Sequence, residues 1–187
     1  VDSLSTADTR GAKDYFSVTN AASGEVSNME ALVVHNGSDA FVTVYNEHHS
    51  NTDLLDVTAN IVGSNVVVTG TPFVANSTVK FYRIDLADNE SDSTGTDFNT
   101  IGAVTVSSSD TAIDTFEDTS FTGAHYVIVG FNNSESSASI LEATVLSNGT
   151  QAFVAEGPFV SSKGTAQLNL TAAHNGSRTV TLSASAT

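Results

Sequence analysis

The feature that most constrains the fold of this chain is an internal repeat, because the sequence aligns with itself at a shift of 112 residues. The register holds without a gap from Val1 to about Asp53, and residues 36–42 match residues 148–154 best. One inserted residue then moves the shift to 113. Self-similarity at a fixed spacing indicates repeated structural units. We interpret the chain as an internal duplication whose second copy is shortened at its C-terminal end.

Hydrophobic and polar side chains alternate with a period of two, for example along residues 41–45 and 180–184. This alternation is typical of strands with one buried face. Asn-Gly pairs separate several runs and favour tight hairpins, because both residues tolerate the positive φ that such turns require. The predicted strands cover residues 12–19, 28–35, 40–46, 54–62, 65–71, 78–86, 102–107, 124–132, 140–147, 151–156, 166–173 and 178–185.

Many short strands without helical periods between them favour a β-sandwich or a barrel. The predicted fold class is therefore all-β, with two tandem β-sandwich domains, Ig-like or jelly-roll-like, that arise from the duplication of about 112 residues. The longest polar stretch covers residues 87–101 and places the boundary near residue 90. The predicted domains are residues 1–90 and 91–187, and residues 103–106 are able to pair with either.

The charge of the chain excludes some classes of partner. The net charge is −15, from 21 acidic and 6 basic residues. Proteins that bind nucleic acids or anionic membranes need clustered Lys and Arg, so we expect neither nucleic-acid binding nor membrane insertion. The chain has no cysteine, which excludes disulfides and thiolate metal sites. No signal peptide is recognisable, and the start at Val1 indicates a processed chain or part of a longer protein.

One polar stretch carries several oxygen ligands of the kind that calcium prefers. They are Asp85, Asp88, Asn89, Glu90 and Asp92. Their spacing lacks the glycine and the terminal glutamate of an EF-hand loop. A calcium loop is therefore the lesser interpretation here, and a solvated linker is the expected one.

Histidines and nucleophiles give no catalytic signal. The only histidine cluster is His48-His49, and successive strand residues point to opposite faces, so the two rings are poorly placed to share a metal. No nucleophile elbow, Walker motif or dinucleotide motif is present. We expect no catalytic residue, no cofactor and no metal apart from the calcium alternative.

Two further features leave alternatives open. Sequons occur at Asn36, Asn76, Asn89, Asn132, Asn148, Asn169 and Asn175, but a chain rich in Asn, Ser and Thr produces many by chance. The aromatic residues that could contact a ligand are Phe41, Tyr45, Tyr82 and Tyr126. We expect these four to fill cores, with ligand binding as the alternative.

Several segments of the first copy resemble repeats in virion structural proteins of marine tailed phages, especially cyanophages. These segments are residues 10–13, 25–37, 43–46, 79–86, 88–91 and the start of the next unit at 113–116. The second copy departs from the pattern, because Arg10 and Lys13 are replaced by Thr122 and His125. The resemblance implies a virion surface component, such as a fibre, decoration or tail-associated protein, and carries no catalytic motif.

From the resemblance we expect a non-enzymatic, homo-oligomeric bacteriophage protein on the virion surface. Its partners would be other virion proteins and, for host attachment, a host-surface glycan or protein. The alternative is a cellular surface adhesin or pilus-type filament subunit, in which a strand donated by a neighbour completes the shortened copy. A carbohydrate-active module, whose site is not visible in the sequence, is a third hypothesis, which glycan-array binding by the isolated domain would test.

Overall fold

The computed structural model describes residues 2–87, 102–120 and 122–187, with the side chains of 85–87 left out. The described chain is all-β, as predicted, and contains thirteen strands. The first unit consists of β1 (Asp2–Ser5), β2 (Thr9–Asn20), β3 (Val26–His35), β4 (Ala40–His49), β5 (Leu55–Val62), β6 (Asn65–Pro72) and β7 (Ser77–Ala87). The second unit consists of β8 (Thr111–Glu117), β9 (Gly123–Asn132), β10 (Ser137–Ser147), β11 (Ala152–Ser161), β12 (Leu168–His174) and β13 (Thr179–Ala186).

Each unit is a sandwich of two antiparallel sheets. In the first unit the strand orders are β1-β6-β5 and β4-β3-β2-β7. In the second they are β8-β13-β12 and β11-β10-β9. The alternate apolar side chains of the paired sheets meet between them, with Phe16, Val33 and Val68 in the first core and Leu141, Leu170 and Leu182 in the second. The period-two pattern of the sequence thus places every second side chain of a strand in a core.

The strands of the two units correspond in register as well as in order. Gly11 pairs with Val34 in the first unit, and Gly123 pairs with Leu146 in the second, a shift of 112 on both strands. A β-bulge interrupts the β3–β4 pair and also the β10–β11 pair. This equivalence is what a duplication requires, and the duplication remains our interpretation of it.

The correspondence includes one insertion that the sequence alignment did not place. Leu4 pairs with Val66, and Phe116 pairs with Val180, so the last strand of the second unit is shifted by 114. The extra residue lies in the hairpin between β12 and β13, where Arg178 has a φ of 77°. The hairpin between β5 and β6 is closed by only two residues, Gly63 and Ser64.

The prediction of the strands differs from the structure in two places. Residues 102–107 form no strand, although Val106 packs on the second core and Ser107 O accepts a hydrogen bond from the Ala186 amide. The short strands β1 and β8 were not predicted, because β1 has one apolar side chain and the three apolar side chains of β8 do not alternate with polar ones. The connection that contains Asn36 and Gly37 has four residues, as the predicted strands at 28–35 and 40–46 imply, and is longer than a two-residue hairpin, since His35 pairs with Ala40.

The physical reason for the longer turn is a side-chain acceptor. Asn36 Oδ1 accepts hydrogen bonds from the amides of Ser38, at 3.0 Å, and Asp39, at 2.8 Å. Asn148 makes the same two contacts with Thr150 and Gln151 in the second unit. This local acceptor stabilises a four-residue loop in which only the glycine adopts positive φ.

The sheet β4-β3-β2-β7 of the first unit packs on the sheet β11-β10-β9 of the second, and the two sandwiches make a stack of four layers. Leu32 and Val34 of β3 lie against Ala138 and Ile140 of β10 in a cluster that is separate from both sandwich cores. The two units approach each other closely at Gly11, because a Cβ there would be 2.9 Å from Val129 Cγ2 and 3.2 Å from Ile140 Cδ1. The units are therefore docked through a close-packed interface.

Candidate functional site: the inter-unit ion cluster and the adjoining cleft

A buried ion cluster lies where the two units meet. Lys13 Nζ is 2.7 Å from Glu30 Oε2 on the neighbouring strand and 2.7 Å from Glu142 Oε1 on β10 of the second unit. Lys13 is 4 % exposed and Glu142 is 6 % exposed. The Tyr45 hydroxyl donates to Glu142 Oε1, and His125 Nε2 lies 3.1 Å from Glu142 Oε2. Each buried charge thus has the partners that burial requires.

The cluster shifts the pKa values of its members. Burial by itself would lower the pKa of Lys13, but the hydrogen bonds with Glu142 and Glu30 outweigh it and hold that pKa above its ordinary value. Burial would raise the pKa of Glu30, but the hydrogen bonds from Lys13 and Asn46 lower it below its ordinary value. Burial and the bond to Glu142 raise the pKa of Tyr45. At neutral pH the cluster therefore contains a lysinium, a Glu30 carboxylate and a neutral tyrosine.

The cluster uses equivalent positions of the two units. Lys13 and Glu30 correspond to His125 and Glu142 at the shift of 112. Each unit keeps its own pair, and Lys13 adds the bond across the interface. The Arg10 guanidinium, 4.3 Å from the centre of the Phe131 ring, adds a second charged contact between the units.

An open cleft of about 580 Å³ adjoins this cluster on the outer face of the sheet β4-β3-β2-β7. Tyr15 is paired with Glu30 on one side and with Tyr82 on the other, so these three side chains share that face. The next row on the face contains Ser17, Asn28, His48 and Lys80. The cleft therefore combines two tyrosines with polar and charged groups on a rigid sheet.

The structure separates the aromatic residues that were predicted to fill cores. Phe41 and Tyr45 pack against the apolar cluster between the units, which contains Leu32 and Ile140. Tyr126 packs against the second core, with its hydroxyl 2.8 Å from Asp114 Oδ2. Tyr82 differs, because it is 63 % exposed and lines the cleft. Core filling thus explains three of the four residues, and the ligand alternative applies to Tyr82.

The histidines have mainly structural surroundings. His35 Nε2 donates to the Thr9 carbonyl at 2.6 Å, since its Nδ1 accepts from the Gly37 amide. His174 is bonded in the same way to Asp118 and to the Gly176 amide, and its hydrogen bond lowers the pKa of Asp118. His48 and His49 are exposed at the end of β4 and pair with Asn28 and Ser27, respectively.

The predicted calcium ligands are not placed by the structure. Asp88, Asn89, Glu90 and Asp92 lie outside the described residues, and only the backbone of Asp85 is described, within β7. Across residues 2–87, 102–120 and 122–187, no group of three or more acidic or histidine side chains is arranged to hold a metal ion. The same ranges contain no helix that could span a membrane.

Sequence reasoning did not identify the ion cluster or Tyr15. The signal for the cluster was a charged residue inside an otherwise alternating strand, at the same position in both copies, as with Glu30 and Glu142. Its meaning required the contact between units. Comparisons of the chain with protein-family models, with curated proteins and with solved structures found no match.

Proposed function

We propose that this chain is a non-enzymatic structural component of a virion surface, such as a fibre, decoration or tail-associated protein. In this role it works by contact with other virion proteins and contributes to host attachment. The observation that carries the proposal is the docking of two equivalent β units through a packed interface with a buried Lys13–Glu142 pair. Rigidly stacked β units suit an extended component that transmits position without performing chemistry.

One surface feature supports assembly with further subunits. Leu146 and Phe153, which are 56 % and 54 % exposed, form a cross-strand pair on the second unit. Their equivalents in the first unit, Val34 and Phe41, pack in the inter-unit cluster. The second unit thus displays the pair that mediates docking in the first, and exposed apolar pairs of this kind mark contact surfaces.

The experiment is to detect the chain in purified particles of the phage that encodes it. Peptide mass spectrometry of banded particles, together with immunogold electron microscopy, should find the chain on the particle surface. The proposal fails if the chain is missing from the particles while the major capsid and tail proteins are found.

The alternative function, an adhesin or pilus-type filament subunit on a cell surface, is favoured by one feature of the second unit. In the first unit β2 lies between β3 and β7. Its equivalent β9 pairs with β10 alone among the described strands. A strand donated by a neighbouring subunit would occupy the position of β7 on that edge. Recovery of the chain from the cell envelope rather than from particles would support this alternative.

A further inference from the structure

The face of the sheet β4-β3-β2-β7 differs from its equivalent in the second unit in a way that docking does not explain. Along the outer face, Tyr15, Ser17, Asn28 and His48 occupy the positions of Val127, Val129, Ile140 and Val160. The second set is apolar and packs in the inter-unit interface. The first set lines the open cleft. The cleft residues are thus free of the packing role that their equivalents perform.

The aromatic groups of the cleft form a platform at its edge. The ring centres of Tyr15 and Tyr82 are 6.2 Å apart, and their planes are tilted by 43°. Tyr82 is 63 % exposed, so most of its ring is available to a ligand. An exposed tyrosine ring offers an apolar face with a hydroxyl at one end, which suits a ligand that is apolar on one face and polar at its rim.

Two polar groups of the cleft, Asn46 and Glu30, are held in place before a ligand arrives. Asn46 has a φ of 51° at the β-bulge of β4, and its side-chain amide donates to Glu30 Oε1 at 3.0 Å. Bulges redirect side chains in this way beside binding sites. Lys13 holds the other oxygen of Glu30, so the carboxylate is fixed as a charged acceptor. Asn28, His48 and Ser17 add donors and acceptors on the same face.

The charge of the site selects among polar ligands. Among the described residues that line the cleft, Lys80 is the one lysine or arginine, and the Glu30 carboxylate, which also lines it, has its charge matched by Lys13. The chain as a whole carries −15, which repels anions. A neutral ligand rich in hydroxyl groups is the class that matches stacking rings, fixed amide and carboxylate acceptors and a low net local charge.

We propose that the cleft binds a neutral oligosaccharide, with Tyr82 and Tyr15 stacked on sugar rings and with Asn28, Asn46 and Glu30 bonded to sugar hydroxyls. The assignment rests on the proposed role in host attachment. It deepens that function, because it names the chemical class of host-surface ligand that the chain would bind. The face of a sugar ring that carries only C–H groups meets a tyrosine, and its hydroxyls reach the polar row.

The test is a titration of the whole chain with cellohexaose, maltohexaose and mannohexaose, followed by the NMR signals of the tyrosine rings. The chain has four tyrosines and no tryptophan, so these signals are few. At least one hexasaccharide should shift the Tyr82 and Tyr15 signals at concentrations up to about 10 mM. Tyr82→Ala should weaken that binding by about tenfold or more. Phe73→Ala, which removes a ring that is 62 % exposed and lies outside the cleft lining, should leave it unchanged.

Three results would overturn the saccharide site. The first is the absence of any tyrosine shift at the highest concentration of all three sugars. The second is equal loss of binding in Tyr82→Ala and Phe73→Ala. The third is a glycan array on which only anionic glycans or protein controls are bound. Detection of the chain in particles without sugar binding would remove this inference alone, whereas sugar binding by a chain that is absent from particles would remove only the proposed function.

Discussion

Lys13 on β2 and Glu142 on β10 form an ion pair that joins the two units, with 2.7 Å between Nζ and Oε1. Both side chains are nearly inaccessible to solvent. The pair lies beside the apolar contact of Leu32 and Val34 with Ile140. A buried pair of this kind contributes geometry more than free energy, because desolvation offsets much of the attraction. We infer that it fixes how the two sheets are oriented.

Removal of the Lys13 ammonium group should lower the free energy of unfolding. Lys13→Met leaves Glu142 buried without its cation, so the free energy of unfolding should fall by about 3 kcal/mol. Urea denaturation followed by circular dichroism measures the change. The matched control is Lys163→Met, because Lys163 and Glu135 form an ion pair with both side chains about half exposed. Such a surface pair is worth at most about 1 kcal/mol. Equal losses of unfolding free energy in both variants would contradict the burial of Lys13 in an ion cluster.

The cluster should also give the stability a defined pH dependence. The pKa of Glu30 is below its ordinary value of 4.5, so its contribution is present above pH 4.5 and disappears as the pH falls through the folded-state pKa. The pKa of Lys13 is raised above 10.5, so its contribution is complete below pH 10.5 and disappears as the pH rises through the folded-state value. The cluster is therefore fully stabilising between these limits.

The Glu30→Gln substitution separates the contribution of Glu30 to the loss of stability at low pH from that of the other carboxylates. Glu30→Gln should reduce the loss of stability between about pH 5 and pH 3, because that carboxylate no longer takes up a proton on unfolding. Asp56→Asn, which changes an exposed residue of β5, should leave the profile close to that of the wild type. Denaturation midpoints across this range provide the measurement. A Glu30→Gln profile that coincides with the wild type would show that Glu30 is not held as described.

The close approach at Gly11 gives a steric prediction. A Cβ there would lie 2.9 Å from Val129 Cγ2 and 3.0 Å from the Val33 carbonyl, so Gly11→Ala should cost about 1–3 kcal/mol. Gly157→Ala is the control, because its nearest neighbours would be at 3.5 Å, an ordinary contact. Thermal or urea unfolding compares the two. A Gly11→Ala variant as stable as Gly157→Ala would mean that the units are not in contact at this point.

The edge of β9 gives a prediction about dynamics. Because β9 pairs with β10 alone in the described part of the chain, alternate amides along β9 should exchange with solvent at least about tenfold faster than those of β2. Hydrogen exchange by NMR on a dilute monomeric sample measures both strands. Uniform protection of β9 at the level of β2 would show that this edge is covered within the monomer.

The sequence predicted most strands because alternation and turn residues are local signals. Residues 54–62 alternate apolar and polar side chains, and β5 was found at Leu55–Val62. Strand β1 was missed because four residues carry too short a pattern, and only Leu4 is buried in it. Residues 102–107 have the composition of a strand but form none, since pairing depends on a partner edge that composition does not specify.

The candidate site was less predictable for a related reason. Glu30 and Glu142 are equivalent charged residues in two strands, but their shared partner Lys13 is visible only once the sheets are docked. Tyr82 was predicted as a possible ligand contact. Tyr15 was not, because it lies in the cleft only through its pairing with Tyr82 across the β2–β7 ladder. Contacts between strands distant in the chain therefore define both parts of the site.

The measurement that tests the docked arrangement most directly is a nuclear Overhauser experiment on the methyl-labelled chain. A Cβ at Gly11 would be 3.2 Å from Ile140 Cδ1, so the α protons of Gly11 and the δ-methyl group of Ile140 should give a clear cross-peak. Cross-peaks between the methyl groups of Val34 and Ile140 should accompany it. A chain with intact sandwich cores but without any of these cross-peaks would contradict the account, because its two units would then be folded but not docked.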